Sequence, residues 1–394
     1  MAVERSRTID GLRGIAAATV IVQHCLEFTP LNKPGASMAE PLAYIFANDV
    51  NFGRFGVIVF FFISGFLIPS SIGHQSRPVA SFAVGRFFRL YPLYWVSIAL
   101  ALLATAVLGN RMPTVAQTVA NLTMFQMVLG FENILYPYWT LLIEHFFYIL
   151  CVMFFLVGAL QSASRMRLIM FASAAAIIAL AIVLAVAPGM RFAKPLADLM
   201  YTASFLFAMI VGHNVRLAQT SDGFHVPVSV PVLFVAVTAF MCVARHRLGG
   251  YAPGLSPLSV FVSTIAALAV FLLALRHRLL GSRPFAYAGQ ISYGLYLFHG
   301  IALWVAVGLI GKPTDLVHSI LLLVLVMGLA FVTSAITFNL VEEPFIVLGK
   351  VVRKWIARGT AGVGGAEVLA SVNVTAQDAL RPFNRPPVPS EIES

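Results

Sequence analysis

Charge is what this chain has least of: Asp, Glu, Lys and Arg make up 11% of its 394 residues, against 59% hydrophobic residues. A soluble domain of that length needs a polar surface this mixture cannot supply, which excludes a soluble globular protein and points to a polytopic membrane protein. Acidic residues are the scarcer sign, 16 against 26 basic, for a formal net charge of +10. No basic stretch is interleaved with aromatics in a foldable soluble module, so nucleic acid is not the partner of that charge. Basic loops kept on the cytoplasmic face account for it instead. Cysteine is nearly absent. Cys25, Cys151 and Cys242 fall in or beside apolar runs without CxxC spacing, which argues against a disulfide framework and leaves small packing residues. A GxSxG elbow, an HExxH motif and a P-loop are also missing. His24, His145 and His299 show no informative ligand spacing, and no metal is expected.

What the chain has is apolar length. A span needs about 20 mostly apolar residues to cross roughly 30 Å of hydrocarbon. Ten stretches qualify, near 10–28, 54–71, 90–109, 138–158, 167–187, 199–215, 227–244, 257–275, 286–309 and 316–340. The segment 115–130, "VAQTVANLTMFQMVLG", is too short and polar for a crossing and reads as re-entrant or interfacial, with an eleventh span as the alternative. Ten spans put both ends on one side, and the basic residues then divide 18 to 8 between the two faces. The positive-inside rule assigns the richer face, and both termini, to the cytoplasm. The charged start "MAVERSRTIDGLRG" is followed by no clean cleavage site and reads as leading into a retained helix. The expected architecture is an all-α integral membrane protein of about ten transmembrane helices. It comprises a multi-span domain over 1–350 and a short, disordered cytoplasmic tail over 351–394. In that tail "GTAGVGG" resembles a phosphate loop only superficially, since it lacks the Lys-Ser/Thr ending and a preceding strand.

Against this background the ionisable residues inside spans stand out. A charge at mid-bilayer costs about 2.5–3.5 kcal/mol on insertion scales, and such residues mark sites or pathways. Arg13 and His24 are eleven residues apart, about 20° beyond three full turns, so they share one helix face and lie about 16 Å apart along it. One reading has Arg13 snorkelling and His24 bonding a neighbouring carbonyl. The other uses imidazole as the proton carrier best suited to neutral pH. Glu27, near the end of that run, is placed to reach water. Arg86 and Arg89 in "GRFFRLYPLYW" stand at i, i+3, and guanidinium forks suit phosphates. In "PYWTLLIEHFFYIL" Glu144 shares a face with Tyr148 at i, i+4 and needs a partner, while His145 points elsewhere. Ser292, Tyr296 and His299 form a polar stripe that either bonds helices together or lines a site. In "FNLVEEPF" Asn339 and Glu343 share a face, and Pro344 is expected to close the helix.

Six segments in order, "DGLRGIAAATVIVQH", "FFFISGFLI", "RFFRLYP", "YWTLLIEHFFYIL", "ISYGLYLFH" and "EEPF", span residues 10 to 345. Together they resemble the acyltransferase-3 family of membrane O-acyltransferases. The resemblance implies about ten helices, cytoplasmic termini, and acyl transfer from cytoplasmic acyl-CoA to a hydroxyl of a cell-surface or exported glycan, sometimes of a lipid or antibiotic. It implies a bacterial inner-membrane location, acyl-CoA as co-substrate with no permanently bound cofactor, and a glycan or lipid-linked saccharide as acceptor. Membrane lipids and polysaccharide-assembly proteins are the other expected partners. Family members often carry a second acidic residue where this chain has His145. Some also carry an esterase-like domain at the C-terminus, for which the residues after 350 are too few.

On that resemblance Arg86 and Arg89, with Arg13, are expected to hold the CoA phosphates. His24 is the expected general base, with Glu144 orienting it or stabilising the imidazolium. Ser64, Tyr296 and His299 are expected to contact the acceptor or the oxyanion. The acyl group is expected to be acetyl, with succinyl as the alternative. The rival reading is a transporter for a small molecule or glycan intermediate, with His24 and Glu144 as a proton relay. It accounts for the buried ionisable groups but not for the paired arginines.

Overall fold

The structure, a computed structural model, describes residues 7–29, 50–73, 77–220, 223–249, 256–277 and 279–358. The expected tail beyond 358, including "GTAGVGG", lies outside the described residues. Those described are overwhelmingly helical. In chain order the helices are α1 (Arg7–Leu26), α2 (Phe52–Leu67), α3 (Pro78–Val107), α4 (Val115–Asn121), α5 (Trp139–Leu156), α6 (Ala163–Val186) and α7 (Ala193–Leu217). Then come α8 (Ser229–Arg247), α9 (Pro257–His277), α10 (Arg283–Gln290), α11 (Ser292–Ile310), α12 (Leu316–Thr337) and α13 (Glu343–Arg358). Between α7 and α8 the two-residue strands β1 (Gln219–Thr220) and β2 (Gly223–Phe224) pair antiparallel.

Among the described residues nine helical stretches are long and apolar enough to cross a membrane. This fits the requirement that a backbone in hydrocarbon satisfy its own polar groups. Large apolar side chains such as Leu103, Ile149, Leu168 and Val324 point outward and are exposed, as a lipid-facing surface requires. The chain is a multi-pass membrane protein. The first expected span, α1, falls outside the set of nine because Asp10, Arg13, Gln23 and His24 dilute its apolar face.

The structure departs from the expected elements at several points. The segment 115–130 holds only the seven-residue α4 and a run of turns. The expected span 286–309 is two helices, broken at Ile291. There the Ser292 hydroxyl donates to the Gly289 carbonyl at 2.8 Å and competes for a helical acceptor. The helix expected from 90 starts twelve residues earlier, with Pro78 at its first position, where a missing N–H costs nothing. Pro344 does not close its helix. A five-residue π segment, Phe338–Glu342, carries α12 into α13 and loosens the ladder where a proline would otherwise interrupt it. Since α13 runs to Arg358, a tail beginning at 351 would start inside a helix.

The chain divides into two compact units: residues up to Ser71 with Ser97–Ala335, and Ile72–Val96 with Ile336 onward. In the larger unit α2 is the central helix, packed on α1, α7 and α9, while α6 packs on α7 and α8. Phe62 of α2 stacks on Phe271 of α9 at 5.2 Å and lies 5.1 Å from Phe234 of α8. Small residues let α2 and α7 touch along their backbones: Gly65 faces the Met209 carbonyl, and Gly212 faces the Phe62 carbonyl. In the smaller unit Phe88 stacks on Phe345 at 6.4 Å, above Gly349.

A methyl added at Gly65 meets the Met209 backbone, whereas one at Gly328 meets nothing within 4 Å. Gly65→Ala should therefore destabilise the protein by about 1–3 kcal/mol, read as a lowered melting temperature in detergent micelles. Gly328→Ala should leave that temperature unchanged. Equal melting of the two variants would refute the close crossing.

Candidate active site

The polar face of α1 is brought against α10 and α11 by three glycines. Gly11 lies on Leu280, Gly14 on Ala288, and Gly289 of α10 on the Asp10 carbonyl, so a side chain at any of them would force the helices apart. At the start of this contact Arg13 donates from Nε to Ser292 Oγ at 3.1 Å. Three turns later His24 stacks on His299 of α11, with ring centroids 5.2 Å apart and planes 18° apart. Arg13 and His24 thus both meet α11, as one shared helix face demands.

The two imidazoles are held in defined tautomers. His24 Nδ1 lies 2.9 Å from Glu27 Oε2, an acceptor, so in the neutral ring the proton sits on Nδ1 and Nε2 carries the lone pair. Gln23 donates to the other carboxylate oxygen of Glu27 at 3.3 Å and accepts from the Phe52 N–H at 3.0 Å, tying α1 to the start of α2. His299 Nδ1 lies 2.8 Å from the Tyr296 carbonyl and must donate to it. Its Nε2 is buried without a hydrogen-bond partner among the described residues. Tyr136 meets the His24 ring edge-on at 5.5 Å.

These groups line a cavity of about 490 Å³ within the larger unit. Its walls come from the last turns of α1, the first turns of α2 and α5, and parts of α7, α9 and α11, with Trp139 and Trp304 among the lining side chains. The cavity therefore lies towards the end of the unit opposite Arg13. Arg54, in the first turn of α2, is also part of the wall and is only 9% exposed.

Of the residues expected from sequence, His24, Tyr296 and His299 come together at this cavity. Tyr296 is committed elsewhere through its hydroxyl, which lies 2.8 Å from Thr140 Oγ1 and 3.2 Å from the Pro137 carbonyl. Glu144 is not the carboxylate bonded to His24. It accepts from Tyr148 at 2.6 Å, the i, i+4 partner on its own helix, and Glu27 takes the place expected of it. His145 turns to its own backbone, with Nδ1 2.8 Å from the Leu141 carbonyl. Ser64 does not line the cavity; α2 contributes Gly53, Arg54 and Val57, about two turns earlier. In the smaller unit Arg89 lies 3.9 Å from Glu342, which is 2% exposed, and Arg86 lies over the Phe82 ring at 5.5 Å. Arg353 packs beside Gly85 in the same unit. Glu342 rather than Glu343 is thus the buried acid of the "EEPF" segment. Sequence reasoning missed Glu27, Gln23 and Arg54. The first stands three residues after His24, a helical spacing that could have flagged it; nothing local marks Arg54.

A family model described as an acyltransferase domain matches residues 7–338. Nodulation protein 10 of Rhizobium leguminosarum bv. viciae is 37% identical over 101 residues, which cover 26% of this chain and 25% of that protein. The match thus spans about a quarter of that relative's length. No solved structure matches the chain significantly. The family match runs from the first described helix to the π segment and takes in both α1 and the cavity-lining helices, and it supports an acyltransferase. The chain belongs to the acyltransferase-3 family.

Proposed function

We propose that the protein transfers an acyl group, acetyl in the first instance, from acyl-CoA to a hydroxyl of a cell-surface or exported glycan, with His24 as general base. The observation that carries this reading is the hydrogen bond from His24 Nδ1 to Glu27, which leaves Nε2 as the lone pair of a ring lining a cavity. A histidine whose Nδ1 is held by a carboxylate is oriented for proton transfer at Nε2. In the proposed step the acceptor hydroxyl gives its proton to Nε2 while its oxygen bonds to the thioester carbonyl carbon. The tetrahedral intermediate then collapses with cleavage of the C–S bond. The CoA sulfur leaves with the proton held on His24, giving the ester and free CoA. His299, with Nε2 unpaired among the described residues, accepts a hydrogen bond from a second hydroxyl of the acceptor.

The proposed setting is the bacterial inner membrane with both termini cytoplasmic, as the distribution of basic residues argues. Arg13 then marks the cytoplasmic end of α1, and the cavity occupies the outer half. An exported acceptor meets it there, while the slim pantetheine arm delivers the thioester from the other side. Guanidinium groups suit the CoA phosphates, and Arg86 and Arg89 of the smaller unit are proposed to supply them. Transport through the same bundle gains no observation of its own from the geometry.

The test is transfer of labelled acetyl from acetyl-CoA to defined oligosaccharides by the purified protein in lipid nanodiscs, with product mass and CoA release both measured. His24→Ala should lower turnover by about 10²- to 10⁴-fold while the protein stays monodisperse. Full turnover by that variant would falsify the general-base assignment. The two carboxylates are separated by a second comparison. Glu27→Gln should lower kcat by about 10-fold or more, and Glu144→Gln should have the smaller effect on kcat. The opposite order would return the orienting role to Glu144.

A further inference from the structure

Arg54 is a buried cation for which the acyl-transfer step itself has no use. Nε donates to Thr264 Oγ1 of α9 at 2.8 Å, and Nη1 donates to Tyr201 Oη of α7 at 3.1 Å. The guanidinium carbon lies 5.4 Å from the ring centroids of both Tyr201 and Phe205. Two neutral oxygens and two aromatic rings therefore fix its position, and Nη2 has no hydrogen bond among the described residues. None of the described carboxylates pairs with Arg54. A buried charge without a counter-charge is expensive, and a helix N-terminus, with its own partial positive charge, is the wrong end for a cation. Arg245 of α8 lies 5.0 Å from the centroid of the same Tyr201 ring. Both arginines belong to the face poorer in basic residues, so the positive-inside rule does not account for them.

Arg54 lines the cavity that also holds His24, and Trp139 and Trp304 share its wall. Aromatic rings present apolar faces with a polar edge, a surface that suits the mixed apolar and hydroxyl faces of a sugar. A cavity of about 490 Å³ also has more room than an acetyl group needs. We propose that this cavity seats an anionic group of the acceptor saccharide, a carboxylate or a phosphate, on Arg54. The acceptor class is then acidic rather than neutral sugar. The inference rests on the reading of the cavity as the acceptor site for acyl transfer, and it makes Arg54 the residue that selects the substrate. A guanidinium held on two sides, with no hydrogen bond to its third nitrogen among the described residues, is preorganised for such an anion.

The test titrates the full-length protein in nanodiscs with glucuronate, glucose 1-phosphate and glucose, following tryptophan fluorescence and binding heat. At least one of the anionic sugars should bind about tenfold or more tighter than glucose, and which one does so distinguishes carboxylate from phosphate. Arg54→Gln should erase that preference and leave glucose binding unchanged. Arg54→Lys, which keeps the charge but loses the fork, should restore part of it. Monodispersity of each variant is checked by gel filtration. Glucose binding as tight as either anionic sugar, or a preference that survives Arg54→Gln, overturns the proposal, as does failure of both anionic sugars to bind. Loss of all binding in Arg54→Gln together with full loss in Arg54→Lys also overturns it, because that pattern marks a packing role. The same preparations are assayed for acetyl transfer. An anion preference without transfer to any sugar would sink the acyl-transfer reading and keep the anion subsite; transfer without the preference would do the reverse.

Discussion

The close packing of α1 on α10 and α11 is the constraint on which the site depends. Gly11, Gly14 and Gly289 remove the side chains that would hold these backbones apart. The resulting seam brings the polar face of α1 against polar groups of α11: Arg13 on Ser292 at one end and His24 on His299 at the other. In an apolar bundle a polar side chain has few places to go, since lipid offers it no partner. The seam is where those partners exist. It also explains why α10 and α11 are separate helices, because Ser292, the acceptor for Arg13, takes the Gly289 carbonyl out of the regular ladder.

From this seam the cavity is assembled by short connections. Gln23 links Glu27 to the first N–H of α2, and that first turn carries Arg54 into contact with α7 and α9. The start of α5 and the turn before it hold Tyr296 through Thr140 and the Pro137 carbonyl. The result is a pocket whose lining combines two imidazoles, a carboxylate, a guanidinium and aromatic rings.

Much of this was legible along the chain. Apolar length located the long helices of the bundle, and the eleven-residue interval between Arg13 and His24 placed both on the face that meets α11. The i, i+4 interval joined Glu144 to Tyr148. Spacing reports which residues share a face of one helix and says nothing of which helix lies opposite, so the role towards His24 expected of Glu144 had no support from periodicity. The partner of His24 was three residues away, on a turn that hydropathy assigned to water. The helix boundaries at Pro78, Ile291 and Pro344 were missed for a related reason. A proline at the first helical position costs nothing, a serine can take a carbonyl out of the ladder, and a π turn can carry a helix through a proline, and none of these shows in a local pattern.

By itself the sequence determined that the chain spans a membrane many times, that it carries ionisable residues within its helices, and that its motifs stand in the order of one acyltransferase family. Each of these rests on the transfer cost of side chains into hydrocarbon or on residue order, and none depends on how the helices are arranged. The tertiary structure alone decided which of the ionisable residues meet. It set Glu27 beside His24, stacked His24 on His299, left Ser64 outside the cavity, and turned Arg54 from a basic residue near a helix end into part of the cavity wall. Hydrogen bonds and ring contacts act over a few ångströms between helices distant in sequence, and only packing brings such groups within that range.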